Sequence, residues 1–120
     1  MSHIVTIQTK VHDPAAVAEA CRRLQLAEPL QGTTRIFESE ASGLIVQLPG
    51  WLFPAVIDTT SGQVQYDNYG GAWGRDEEMH RFLQAYAVEK TRLEARKKGY
   101  AVSEQQLQDG SIRLQLREGA

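Results

Sequence analysis

Cys21 is the only thiol in the chain, which excludes an intramolecular disulfide and any multi-cysteine zinc or iron–sulfur site. It recurs at helical spacing with Val17 and Leu24, and free cysteine is among the most buried residue types. It therefore reads as a core residue rather than a nucleophile. The three histidines, His3, His12 and His80, lack the i, i+4 spacing that sets two imidazoles on one helix face, so no metal set is expected. The run Gly70-Gly71-Ala72-Trp73-Gly74 leads into a helix, a place where phosphate can bind. The chain has neither glycine-rich nucleotide signature, however, and Asp76-Glu77-Glu78 already crowds that helix start with carboxylates. A turn is the better reading.

One constellation combines apolar area with directional polar groups: Trp51, then Tyr66, Asp67, Asn68, Tyr69, Trp73 and Arg75. Tryptophan, tyrosine and arginine dominate binding hot spots, so these residues are the candidate binding surface. Two other readings stand beside this one. Asn68 and the glycines can simply make turns while Trp51 and Trp73 cap the core. Alternatively, Asp67 beside Tyr69, with Arg75, can line the pocket of a small enzyme or ligand-binding protein, given the right geometry. No catalytic residue and no cofactor is assigned.

Two helices and a meander must position these groups. The alternation around Val5 and Ile7 predicts a first strand over 3–9. Asp13-Pro14 is an N-cap followed by a residue preset for the first helical turn. It opens a helix over 14–25, in which Glu19 can pair with Arg23. Period-two runs over 34–38, 44–48, 53–58 and 63–66, punctuated by Ser42-Gly43, Pro49-Gly50 and Thr60-Ser61-Gly62, predict four short antiparallel strands. Pro54 places its strand at an edge or makes it start nearby. A long helix over 76–98 follows, with Met79, Phe82, Leu83, Tyr86 and Leu93 on one face, acidic residues at its start, and Lys97, Lys98 and Gly99 at its end. Asp109-Gly110 then suggests a two-residue turn in a closing hairpin.

The expected fold class is α+β, in the order β-α-β-β-β-β-α-β-β. One antiparallel or mixed sheet of six to seven short strands should carry both helices on one face, in a single domain over 1–118 with a tail at 119–120. A net charge of −2 creates no field for phosphate polymers. Lys90, Arg92, Arg96, Lys97 and Lys98 are interrupted by Glu89 and Glu94, which makes them a solvated helix face with Glu94 able to pair with Lys98. Nucleic acid is not an expected partner. No run approaches the ~20 apolar residues of a membrane span, and the first residues lack a basic region followed by a long apolar stretch. A soluble cytoplasmic protein is expected.

Several short segments carry a family likeness. They are Ser2-His3 with Thr6-Ile7-Gln8-Thr9, Leu48-Pro49-Gly50-Trp51, Tyr66-Asp67-Asn68-Tyr69 with Trp73-Gly74, Tyr86-Ala87-Val88-Glu89-Lys90 with Gly99, and Asp109-Gly110-Ser111-Ile112. In their order and their coverage of almost the whole chain, these resemble the conserved hypothetical chloroplast reading frame thirty-five family, a domain of unknown function, and its short bacterial members most closely. The resemblance carries over no reaction, cofactor or catalytic residue. It implies an accessory to a larger machine, with an ATPase-containing complex as the protein partner. The expected function is thus a non-catalytic accessory or adaptor domain that binds a protein through the aromatic-polar loop surface.

Overall fold

Asp13 starts the first helix as its side chain demands, accepting from the backbone N–H groups of Ala15 and Ala16 at 2.9 and 3.4 Å. In the computed structural model, which describes the backbone of residues 5–7 and the whole of residues 10–118, helix α1 spans Pro14–Arg23. Strand β1 (Val5–Ile7) precedes it, and β2 (Leu30–Ile36), β3 (Ser39–Val46), β4 (Ala55–Asp58) and β5 (Gln63–Tyr66) follow. A 3₁₀ turn at Tyr69–Gly71 leads to α2 (Asp76–Lys97), then to β6 (Tyr100–Gln106) and β7 (Ile112–Glu118). His3 and the tail 119–120 lie outside the described residues.

The order β1-β5-β4-β3-β2 forms a five-stranded sheet, antiparallel throughout. Val46, Ala55, Ile57, Val64 and Tyr66 line one of its faces and share a core with Val17 and Cys21 of α1 and with Met79, Phe82 and Tyr86 of α2. Both helices therefore cover the same face. Cys21 is buried in this core, and burial pushes its thiol up to about 11, which leaves it protonated and unreactive at neutral pH. Lys90 and Tyr86 join the helices: the ammonium is 3.0 Å from the Asp13 carboxylate, and the phenol oxygen accepts the Asp13 backbone N–H at 3.1 Å. A smaller cluster of Ile36, Ala41 and Val56, with Ile45 against it, occupies the opposite face.

The α+β class and the two helices are as expected, but the strands divide differently. β6 and β7 form a separate two-stranded sheet and do not join the main one. Gly99, at φ 79°, reverses the chain directly after α2, so the hairpin folds back along that helix. There Glu104 takes up Arg23 and Arg92. This also breaks the expected Glu19–Arg23 pair, and Glu19 meets Arg22 instead. Glu94 likewise pairs with Lys90 and Lys97 rather than Lys98.

Ser42-Gly43 is not a turn. Gly43 lies inside β3 opposite Gly32, and a Cβ on it would stand 2.3 Å from the Ile57 carbonyl oxygen, so glycine here lets β4 approach. The reversal comes earlier, at Phe37-Glu38, with Phe37 at φ 54°. β4 is central in the sheet and begins immediately after Pro54, which places the proline outside the ladder. The closing turn has three residues: Leu107 accepts from Gly110 N at 3.1 Å and donates to Ser111 O at 2.8 Å, and only Gly110 has positive φ in this turn. That is a turn with a glycine bulge rather than a two-residue loop.

Candidate functional site

The seven sequence-selected residues come together around one junction, where the β3–β4 loop meets the segment between β5 and α2, but they do so in two layers. Trp51 is 5% exposed. Its indole N–H donates to the Arg75 carbonyl at 3.1 Å, and its ring lies 5.2 Å from that of Tyr66. A Cβ on Gly74 would stand 2.6 Å from the Trp51 ring, so Gly74 is the residue that lets the two segments touch. Asn68, also buried, donates from its carboxamide to Gly74 O at 3.0 Å and to the Asp76 carboxylate at 2.6 Å. This fastens the loop to the first turn of α2.

Asp67 is fully buried. One carboxylate oxygen accepts the Tyr69 backbone N–H at 3.0 Å, and the other has no hydrogen-bond partner among the described residues. Burial first, and the Asp76 carboxylate second, push the Tyr66 phenol above its ordinary value, which makes it a poorer proton donor. Arg75 points elsewhere, exposed and paired with Glu77 at 3.0 Å. Asp67 and Arg75 thus engage different partners, the Tyr69 backbone and Glu77.

The outer layer is aromatic. Tyr69 stacks on Trp73 at 4.7 Å with an interplanar angle of 20°. Phe37 and Phe53 close on the same indole at 5.1 and 5.7 Å and on each other at 6.3 Å. Each such ring pair contributes about 0.5–1.5 kcal/mol beyond its area. Tyr69 is 47% exposed, and Leu52, whose N–H donates to Trp73 O at 2.9 Å, is 62% exposed. Phe37, Phe53 and Trp73 are half-buried.

Both Phe37 and Tyr69 sit at positive φ, 54° and 48°, a region that bulky residues occupy only under constraint. Backbone strain is thus concentrated at two of the four rings. The sequence reading missed Phe37, Phe53 and Leu52. Its available signal was Ile36-Phe37, two successive apolar residues where a half-buried strand should alternate.

The other candidates are scattered. His12 places Nδ1 3.1 Å from the Thr59 carbonyl, and His80 is exposed on α2. Among the described residues no helix is long and apolar enough to cross a membrane. No protein-family model, curated protein or solved structure matches the chain.

Proposed function

We propose that this chain is a non-catalytic accessory domain that docks onto a protein partner through the aromatic cluster of Phe37, Phe53, Tyr69 and Trp73, flanked by Leu52. The observation that carries this reading is the strained backbone at Phe37 and Tyr69. Left-handed backbone at a bulky residue costs on the order of 1–3 kcal/mol and is found where function requires a fixed geometry. Here it buys rings already fixed at the surface, and prefixed rings bind with little loss of rotamer entropy. Trp51, Tyr66, Asp67 and Asn68 support this surface from beneath. The likeness to the reading-frame-thirty-five family favours an accessory role, with an ATPase-containing assembly as the partner class.

The test is affinity purification from native cells with quantitative mass spectrometry, run in parallel on wild type, Tyr69→Ala and Leu52→Asp, with melting curves for all three. A stoichiometric protein that is recovered with wild type and lost with both variants, at unchanged melting temperature, supports the reading. Equal recovery with all three proteins sinks it.

A further inference from the structure

We infer that β7 is a self-pairing edge, through which two copies of this chain join antiparallel about Leu114 into a four-stranded sheet. The inference is independent of the aromatic cluster. Among the described residues β7 pairs only with β6, leaving its other edge open. Natural edges are usually blunted by charged side chains, lysine above all, or by proline, a bulge or short length. β7 has seven residues with no proline, glycine or lysine among them, and its charges, Arg113, Arg117 and Glu118, are the groups that the pairing below must match; the glycine bulge lies in the turn before it. It also carries apolar residues at alternate positions, Ile112, Leu114 and Leu116, the last 46% exposed.

The hydrogen-bond phase identifies the groups on the open edge. Leu107 N–H donates to Ser111 O, so that pair faces inward across the hairpin, and an antiparallel ladder alternates from there. The N–H and C=O groups of Ile112, Leu114 and Leu116 therefore face away from β6, and the apolar residues are the ones with unpaired backbone on that edge.

A two-fold axis through Leu114 sets Leu114 opposite its own copy and Ile112 opposite Leu116. This makes about six reciprocal N–H···O bonds and extends the apolar stripe without a break. On the outer face Arg113 meets Gln115, and Arg117 meets Ser111. The N–H and hydroxyl of Ser111 hold the Asp109 carboxylate, so a cation arrives beside an anion. Shifting the axis to Gln115 instead sets Arg113 directly against Arg117, a like-charge pair that destabilises sheets. A second copy thus brings complementary charge to this edge, Arg117 against the Asp109 held by Ser111, and charge also selects its register. One strand edge is a small interface, at the low end of specific contacts, below about 1,200 Å², so the dimer forms in a concentration-dependent way.

Sedimentation of the intact chain across a hundredfold concentration range should show a monomer–dimer equilibrium. Leu116→Pro removes an outward N–H that the hairpin does not use, and edge strands tolerate proline at such positions. It should weaken dimerisation at least tenfold while the far-ultraviolet dichroism stays unchanged. Register is read by disulfide trapping, because Arg113 and Gln115 form a non-hydrogen-bonded pair across the axis, with Cα atoms about 4.5 Å apart and within disulfide reach. An oxidised mixture of Arg113→Cys and Gln115→Cys chains should give the mixed dimer, and neither variant should cross-link alone. A monomer at every concentration overturns the inference. So does efficient cross-linking of Gln115→Cys to itself, which would centre the axis on Gln115.

Discussion

At Gly74 a single methyl group would meet the Trp51 indole at 2.6 Å, with no flexible chain end to give way. Gly74→Ala is therefore expected to destabilise the fold by about 1–3 kcal/mol, as overpacking does, read from denaturant unfolding. The two layers of the site predict opposite responses to truncation. Trp51→Ala, which opens the core and strands the Arg75 carbonyl, should cost about 3–5 kcal/mol, whereas Tyr69→Ala should stay within about 1 kcal/mol of wild type, as substitutions outside the core usually do. A large loss at Tyr69 would place its ring among the supports of the fold. The sequence could nominate both tryptophans but not separate them, since each lies beside a glycine and near an arginine or leucine. What separates them is the approach of Gly74 to Trp51 across 23 positions of chain, which no local pattern encodes. Phe37 was hidden for a related reason: it occupies the two-residue turn between β2 and β3, which demands positive φ, and the pairing that creates this turn is not announced by a glycine or asparagine there.

Elements whose signals lie within a few residues were legible. The Asp13-Pro14 cap and the acidic start and glycine stop of α2 all appear close to where the chain announces them. Elements that depend on a neighbour were not. Glycine within an alternating run signals either a turn or a close backbone approach, and only the arrival of β4 makes Gly43 the second. The separate hairpin was illegible because the same alternation serves a strand in a shared sheet and a strand lying on a helix. Its residues contribute nothing to the main buried core, so removing residues 100–120 should leave a cooperatively unfolding domain with a lowered melting temperature. Loss of cooperativity in calorimetry would show that the hairpin is integral to the fold.

Across the whole molecule the radius of gyration is 15.3 Å, with extents of 55 × 31 × 24 Å, against roughly 13.6 Å for a compact chain of this length. Charge pairs help to hold this elongated body together. At Asp13 burial acts to raise the carboxyl, but Lys90 and the N–H groups of Ala16 and Ala15 outweigh it and hold it below its ordinary value. At Glu104, Arg23 first and then Arg92 overcome burial in the same direction. A carboxylate with a depressed folded value contributes stability above its unfolded value and loses it as pH falls through the folded one. The melting temperature should therefore hold near neutral pH and drop below about pH 4.5, with a shallower drop in Glu104→Gln. An equal slope in that variant would remove Glu104 from the account. One further consequence follows from β1, whose Val5 pairs with Tyr66 while β2, β3 and β4 each pair with the strand next in sequence. Closing so long a loop is entropically slower than zipping adjacent strands. During synthesis, β1 is thus the last strand of the five-stranded sheet to find its place, and it must wait for some sixty residues to emerge behind it.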